Sequence, residues 1–183
     1  MIITGAGSGL GKYLHREFGG LGKTRSKNIG RKGRLENKEC IVHCAFNRAE
    51  NNNALAEYVS DNILFTNSLT ELAKKSKHKL IYISSVDVYP AEPTWAVWSE
   101  QDYVSIEKHK NIYALTKLMA ESLVEKTEDH LILRCSALLG PYMKPNSLLR
   151  MVKDPNCNLS LSKDSVFDYV LYSDVARFLE YAI

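Results

Sequence analysis

The sequence predicts an α/β protein whose doubly wound, parallel sheet forms the middle of three layers. Two observations carry this prediction. The runs "ECIVHCAF" (39–46) and "KLIYISS" (79–85) are apolar at successive positions, so strands formed from them present apolar side chains on both faces. Helical patterns separate such runs along the chain, which is the arrangement that covers a parallel sheet on both sides. The length of 183 residues fits a single domain, 1–183.

Strands and helices alternate in the predicted order of elements. The first helix has Leu10, Leu14 and Phe18 on one face, at the spacing of an amphipathic helix. Later strands are short apolar runs of the length that sheets prefer. In chain order we predict a strand at 1–3, a helix at 10–18, a strand at 39–46, a helix at 61–75, a strand at 79–85, a helix at 111–126, strands at 130–135 and 167–172, and a helix from about residue 174. The segments 19–38 and 51–53 are expected to be loops.

Composition and charge exclude several classes of function. The formal net charge of +3 is too small to indicate nucleic-acid binding. No apolar run approaches the length of a membrane span, and the N-terminus "MIITGAGSG" has no secretory signal. The cysteines form no CxxC pair and match no zinc-site spacing, so we expect free buried thiols in a reducing cytoplasm and no metal site. These are Cys40, Cys44, Cys135 and Cys157.

The segment "TGAGSGLG" (4–11) joins the first strand to the first helix. Gly5 lets the chain turn sharply off the strand, and Gly11 lets the helix pack closely on the sheet. The exposed N–H groups at the start of the helix favour an anion such as a pyrophosphate. We therefore expect this loop to bind a dinucleotide through Gly5, Gly7, Ser8, Gly9, Leu10 and Gly11. The alternative is a flexible glycine turn.

The segment after the first predicted helix points to the identity of that dinucleotide. NAD-binding proteins usually place an acid after the second strand, where it binds the ribose hydroxyls. Here the region reads "GLGKTRSKN", and no acid appears before Glu36. Arg25 and Ser26 are suited to a 2′-phosphate instead, so we expect NADP, with NAD as the alternative. The basic run from 23 to 38 is equally consistent with a solvated loop, and without interleaved aromatic residues it gives little support to RNA binding.

A serine pair, a tyrosine and a lysine form the second chemical pattern. Ser84 and Ser85 end a predicted strand, and ligands of parallel sheets bind beyond such carboxyl ends. Tyr113 and Lys117, in "YALTK", lie four residues apart on a predicted helix and therefore share a face. A nearby ammonium lowers the pKa of a tyrosine, so the pair is suited to proton transfer, with a serine hydroxyl on the substrate oxygen. Each residue alone is commonly structural, but their joint order favours catalysis.

The motifs together resemble the extended short-chain dehydrogenase/reductase superfamily, which comprises NAD(P)-dependent epimerases, dehydratases and reductases of nucleotide sugars. The resemblance rests on "TGAGSGLG", "IVHCAF", "YISSVDVYP", "YALTK", "LRCSALLGP" and "DYVLYSDVAR". It implies a Rossmann-like fold and assigns catalysis to Ser85, Tyr113 and Lys117. It also implies that the cofactor contacts Ser84, Tyr113, Lys117, Asn62, Cys44, Ala45, Phe46, Ser136 and Leu138. A homodimer through the helices at 61–75 and 111–126 follows by analogy alone.

The chain also departs from the family pattern. Only 29 residues separate Gly11 from Ile41, which leaves room for one helix and one strand but not for the further strand-helix unit of the family. We therefore expect a trimmed sheet, a more open adenine pocket and the absence of most of the family's substrate lobe. Val86 follows Ser85 where the dehydratase signature has an acid, and only Asp87 remains of the acid pair, so dehydration is disfavoured.

The resulting hypothesis is an NADP-dependent epimerase or reductase that acts on a nucleotide-activated sugar. Tyr113 would exchange a proton with a sugar oxygen, Lys117 would support it, and Ser85 would fix the reacting oxygen. The alternative from another class is a non-catalytic NAD(P)-binding sensor or partner subunit. A nucleic-acid binder that uses the basic run is the third candidate, and it would bind with strong salt dependence.

Overall fold

A six-stranded sheet with the order β3-β2-β1-β4-β5-β6 forms the middle layer of the protein. In this computed structural model the described residues are 1–47, 55–90, 97–102, 104–105, 111–154, 156–158, 162 and 164–183. The strands of the sheet are β1 (Ile2–Thr4), β2 (Gly20–Lys23), β3 (Asn28–Arg31), β4 (Cys40–His43), β5 (Lys79–Ser85) and β6 (His130–Cys135). A separate parallel pair consists of β7 (Ala137–Leu139) and β8 (Tyr169–Leu171).

Helices cover both faces of the six-stranded sheet. They are α1 (Gly9–Phe18), α2 (Leu55–Tyr58), a π-helical turn (Val59–Leu64), α3 (Phe65–Ser76), a 3-10 turn (Val86–Val88), α4 (Ile112–Val124), α5 (Ser147–Lys153) and α6 (Tyr172–Ala182). Alternate residues of β5 point to opposite faces: Ile81 packs with α1 and α6, whereas Leu80 packs with α3 and α4. The predicted three-layer, doubly wound α/β fold is confirmed. No helix within the described ranges is long and apolar enough to cross a membrane.

A hairpin replaces one crossover unit at the edge of the sheet. The strand order is that of a doubly wound dinucleotide fold, but β3 runs antiparallel to β2. Residues 24–27 form the turn, in which the Thr24 N–H donates to the Lys27 carbonyl at 2.9 Å. A turn this short leaves no room for a helix between β2 and β3. The expected trimming therefore removes the helix, while a strand still occupies the outer position.

The expectation that 19–38 is a loop is wrong. The glycine-rich run "GGLGK" has little strand propensity, but pairing with β1 forms β2 all the same. Gly22 also has a packing reason, since a Cβ there would lie 2.8 Å from the His15 ring of α1. The predicted strands 79–85 and 130–135 agree with β5 and β6. The sequence patterns did not predict β7 or α5, and the expected loop at 51–53 lies outside the described residues.

A buried chain of hydrogen bonds is centred on His43, at the end of β4. The Ala45 N–H donates to Thr4 Oγ1 at 3.1 Å, and Thr4 Oγ1 lies 2.7 Å from His43 Nδ1. On the other side His43 Nε2 lies 2.9 Å from Thr66 Oγ1, which donates to the Asn62 carbonyl at 2.5 Å. Because the Thr66 hydroxyl gives its proton to the Asn62 carbonyl, His43 donates to Thr66 from Nε2, and the neutral ring accepts at Nδ1 from the Thr4 hydroxyl. The chain links β1, β4 and the π-helical turn.

A second buried polar group joins α4 to β5 and β6. The Glu121 carboxylate is buried and accepts a hydrogen bond from the Ser84 hydroxyl. It also pairs with Arg134, whose Nη2 donates at 2.8 Å and whose Nε lies 3.2 Å from both carboxylate oxygens. Arg134 Nη1 donates to the Tyr89 hydroxyl at 2.9 Å. Every charge in this cluster is therefore compensated, which a buried carboxylate requires.

Truncation of Glu121 is expected to be strongly destabilising. Glu121→Ala leaves the Arg134 guanidinium without its carboxylate and should lower the free energy of unfolding by about 3–5 kcal/mol. Glu125→Ala, an exposed carboxylate on the next turn, should change it by less than about 0.5 kcal/mol. Urea denaturation checks both values. The Glu121→Leu/Arg134→Met double variant removes both charges together and should therefore be more stable than Glu121→Ala. A double variant as unstable as Glu121→Ala would contradict this explanation.

His43 is expected to make the protein less stable as the pH falls. Burial, and secondarily the charge of Lys117, lowers the pKa of His43 from 6.5 to about 3. The unfolded chain therefore binds an extra proton between these two values, and stability declines across that window on acidification. The loss from this group between pH 7 and pH 5 amounts to about 2 kcal/mol. Denaturation of wild type and His43→Gln at pH 7 and pH 5 should show the steeper decline in wild type; equal slopes would refute the assignment.

Candidate active site

A cleft of about 1290 Å³ lies beyond the carboxyl ends of the parallel strands. The glycine loop forms one wall and α4 contributes to the opposite one. Of the residues predicted from the sequence, Asn62 is the exception that does not line the cleft. Those that do are Gly5, Gly7, Ser8, Gly9, Leu10, Gly11, Arg25, Ser26, Cys44, Ala45, Phe46, Ser84, Ser85, Tyr113, Lys117, Ser136 and Leu138. The fold thus brings together in one space two motifs that are about a hundred residues apart in the sequence.

The glycine loop has the backbone geometry of an anion cradle. Gly5 has φ +71°, and a Cβ at Gly11 would lie 2.5 Å from the Gly5 carbonyl oxygen, so neither position tolerates a side chain. Within the described part of the chain, the N–H groups of Leu10 and Gly11 have no hydrogen-bond acceptor. Two N–H groups at the start of a ten-residue helix can therefore receive a pyrophosphate. The loop fits the dinucleotide that the sequence predicts.

Tyr142 contacts both the glycine loop and helix α1. Its carbonyl accepts a hydrogen bond from the Gly9 N–H at 3.1 Å, and its backbone is in the left-handed region at φ +69°. Two basic side chains of α1 hold its ring: Lys12 Nζ lies 4.2 Å from the ring centroid, and Arg16 donates to the hydroxyl at 2.5 Å. The segment that follows, Met143–Asn146, lines the cleft. This segment was not among the residues predicted from the sequence.

The structure distinguishes the two serines at the end of β5. Ser84 gives its hydroxyl proton to the buried Glu121 carboxylate. Ser85 Oγ instead accepts a hydrogen bond from the Asp87 N–H at 3.2 Å, as the N-cap of the 3-10 turn. Its own proton remains available for an oxygen in the cleft. Ser84 is therefore committed to the interior, whereas Ser85 can donate to a ligand.

Tyr113 and Lys117 project from the same face of α4 into the cleft. The Asn111 side chain caps the helix by accepting from the Tyr113 N–H at 2.8 Å, which fixes the start of the helix at this residue. The Lys117 ammonium is buried; it donates to the Ile83 carbonyl at 2.7 Å and lies 4.0 Å from the centroid of the Phe46 ring. The Tyr113 and Phe46 rings pack edge to face, with their centroids 5.1 Å apart. The ammonium is thus held at a defined position against the Phe46 ring, which also contacts the Tyr113 ring.

Asn62 acts on the cleft through the backbone of Asn47. Its Oδ1 accepts from the Asn47 N–H at 2.7 Å, and its Nδ2 donates to the Asn47 carbonyl at 3.0 Å. The side chain is completely buried within the π-helical turn. Two hydrogen bonds to one residue fix the loop that carries Cys44, Ala45 and Phe46 along the cleft wall. Direct contact between Asn62 and a cofactor stays a prediction.

The outer end of the cleft contains an ion pair. Arg25 Nη2 lies 2.5 Å from Asp61 Oδ2, and both residues line the cleft together with Lys23 and Ser26. Arg25, which the sequence predicts to bind a 2′-phosphate, therefore already has an acidic partner. Sequence reasoning missed Asp61, because nothing in the sequence around it indicates that the π-helical turn faces the β2–β3 turn. Only the folded arrangement brings the two side chains together.

The cysteines near the cleft are neutral thiols. All four cysteines are free, and only Cys40 is fully buried, so the expectation of buried thiols is correct for one of the four. Burial raises the pKa of Cys44 to about 12 and that of Cys135 to about 11. Both residues line the cleft but lack thiolate character, so they form part of its apolar wall and are not nucleophiles. No group of three or more potential metal ligands occurs among the described residues.

Comparison with solved structures finds the same fold in enzymes of nucleotide-sugar metabolism. MoeE5 in complex with UDP-glucuronic acid and NAD is 21% identical, with a TM-score of 0.79 over 99% of this chain and 71% of that chain. The dTDP-4-dehydrorhamnose reductase of Bacillus anthracis str. Ames in complex with NADP is 20% identical, with a TM-score of 0.74 over 98% and 68%. A mutant UDP-glucuronic acid 4-epimerase of Bacillus cereus, bound to NAD and a fluorinated UDP sugar, is 19% identical, with a TM-score of 0.74 over 99% and 72%.

A family model extends this likeness from fold to sequence. The model of the NAD dependent epimerase/dehydratase family matches residues 24–183, which is most of the chain. No curated protein matches the sequence. The match includes both "YISSVDVYP" and "YALTK", the motifs that contribute Ser85, Tyr113 and Lys117 to the cleft. The chain therefore belongs to the NAD-dependent epimerase/dehydratase family.

Proposed function

We propose that this protein is an NADP-dependent epimerase or reductase that acts on a nucleotide-activated sugar. One observation carries the proposal: a single cleft joins an anion-binding glycine loop to Ser85, Tyr113 and Lys117. Family membership supports the reaction class, and the solved relatives with UDP or dTDP sugars in their names support the substrate class. Since the chain spans about 70% of the length of these relatives, the sugar and the nucleotide are left open.

Each of the three side chains has a separate task in the proposed mechanism. Tyr113 exchanges a proton with a hydroxyl or keto oxygen of the sugar. The Lys117 ammonium stabilises the phenolate when that proton leaves and also holds the nicotinamide ribose. The Ser85 hydroxyl donates to the reacting oxygen and fixes its position. When bound, the nicotinamide supplies the hydride chemistry at the sugar carbon.

The residues around Ser85 favour epimerisation or reduction over dehydration. Elimination of water needs a positioned acid for the departing hydroxyl. Val86 follows Ser85 directly and is exposed, and Asp87 is the acid of this turn that lines the cleft. The second acid of the dehydratase signature is not present at this point of the sequence.

NADP is the proposed cofactor because of the basic residues at the outer end of the cleft. Arg25 and Lys23 are there to meet a phosphate, Ser26 offers a hydroxyl, and no acid follows β2. The solved relatives named above include both NAD and NADP complexes, so the family accommodates either dinucleotide.

We further propose a single-domain cytoplasmic protein that forms a homodimer through α3 and α4. Exposed apolar side chains on α4 support the interface: Ile112 and Met119 are 40% and 45% exposed. The alternative function, a non-catalytic NAD(P)-binding sensor or partner subunit, shares the cofactor site but requires no turnover.

Loss of the tyrosine or serine hydroxyl should separate binding from catalysis. We expect Tyr113→Phe and Ser85→Ala to reduce kcat by about 10²- to 10⁴-fold, because each removes a group that acts on the reacting oxygen. The Kd for NADPH should change little. The measurement is turnover on a panel of UDP and dTDP hexoses, with Tyr181→Phe, an exposed tyrosine of α6, as the matched control. Turnover that survives both changes excludes this mechanism, and NADPH binding without turnover in wild type favours the non-catalytic alternative.

Removal of Arg25 should abolish a preference for NADPH. A charge-assisted hydrogen bond to the 2′-phosphate is worth about tenfold or more in affinity, so Arg25→Ala should bring the Kd of NADPH close to that of NADH. Calorimetric titration of both dinucleotides provides the test. Lys27→Ala, an exposed lysine in the same turn that does not line the cleft, is the control. Equal affinities in the wild-type protein would count against NADP as the cofactor.

A further inference from the structure

The acidic partner of Arg25 has no role in the mechanism above. Asp61 Oδ2 lies 2.5 Å from Arg25 Nη2 and also accepts a hydrogen bond from Asn47 Nδ2 at 2.9 Å. The Arg25 side chain is 75% exposed and the Asp61 side chain 34% exposed. A pair this open to water contributes little to stability, so a ligand can replace either partner. The pair stands at the end of the cleft where the adenosine side of a dinucleotide is expected.

The two partners of the pair are held to different degrees. Asp61 belongs to the π-helical turn, and its neighbour Asn62 is completely buried and bonded twice to Asn47. The second hydrogen bond from Asn47 adds a fixed contact to the carboxylate itself. Arg25 lies at the exposed tip of the β2–β3 turn. The carboxylate is therefore the stationary member, and the guanidinium is the one that can turn towards a ligand.

Asp61 and Arg25 favour different ligands. A carboxylate accepts hydrogen bonds from the two hydroxyls of an adenosine ribose, which is the contact that an acid after β2 usually provides. It repels a 2′-phosphate, because like charges at close range are unfavourable in a partly buried site. Arg25 acts in the opposite sense, since a guanidinium binds phosphate strongly. With Arg25 paired to Asp61, a phosphate must compete with the carboxylate for the same donors.

We propose that Asp61 determines cofactor selectivity by supplying, from the π-helical turn, the ribose-binding carboxylate that this chain lacks after β2, so that it favours NAD and opposes the preference for NADP that Arg25 confers. The inference rests on the proposed function, in which the cleft binds a nicotinamide dinucleotide. Selectivity then depends on a pair of side chains drawn from two different elements and is adjustable at either one.

The test is calorimetric titration of NADH and NADPH with Asp61→Asn. Loss of the negative charge frees Arg25 and removes the repulsion, so NADPH should bind more tightly and NADH more weakly, and the ratio of the NADH Kd to the NADPH Kd should rise about tenfold. Glu57→Gln makes the same change in charge at an exposed residue of α2 that does not line the cleft, and its ratio should stay within about twofold of wild type. Asp61→Ala provides a second variant if Asp61→Asn does not fold.

The outcomes distinguish the selectivity role of Asp61 from the binding of a dinucleotide by the cleft. A tenfold rise in the ratio of the NADH Kd to the NADPH Kd with Asp61→Asn, but not with Glu57→Gln, supports the selectivity role. If Asp61→Asn increases the NADPH affinity less in an Arg25→Ala background, part of the effect acts through Arg25. Normal binding with an unchanged ratio, or the same rise with Glu57→Gln, overturns the selectivity role and leaves the proposed function intact. If wild type binds neither dinucleotide, both the proposed function and the role of Asp61 are overturned.

Discussion

The buried hydrogen-bond chain through His43 is the constraint on which the cleft depends. It begins at the Ala45 N–H, passes through Thr4 and the neutral imidazole, and ends at the Asn62 carbonyl. Both ends of the chain are residues that shape the cleft or hold its wall. Each donor in the chain has one acceptor, so the arrangement has a single direction and no unsatisfied polar group. Burial keeps the imidazole neutral, and the neutral ring donates from Nε2 to Thr66 and accepts at Nδ1 from Thr4.

Helix α4 combines structural and chemical tasks on one face. Tyr113, Lys117 and Glu121 follow one another at intervals of four residues, so they lie in a row along the helix. Glu121 joins the inner end of this row to β5 and β6, and the Asn111 cap sets its outer end. Lys117 lies between them and is bonded to β5. The position of the phenol therefore follows from how the rest of its helix is attached to the sheet.

The strands, helices and cleft residues that were predicted correctly are those that a local sequence pattern determines. The run 79–85 has four successive apolar residues, 80–83, in a segment of the length that strands prefer, and this pattern found β5 to the residue. The β2–β3 hairpin escaped prediction because its strands are glycine-rich and depend on pairing with β1, a contact between distant residues. The cleft residues were predicted from the order of the sequence motifs along the chain. Asp61 could not be found in this way, since its significance depends on a turn 36 residues away in the sequence.

The hairpin also leaves the sheet with an open margin. In place of a crossover unit, β3 presents its outer backbone N–H and C=O groups along the rim, and within the described residues no strand pairs with that side. Such a rim can recruit a strand from another molecule and start aggregation. Here Arg31 and Lys32 stand at the end of β3, and five further basic residues lie between 23 and 38. Two copies that approach rim to rim bring these like charges together, and their repulsion opposes edge-to-edge pairing of the shortened sheet.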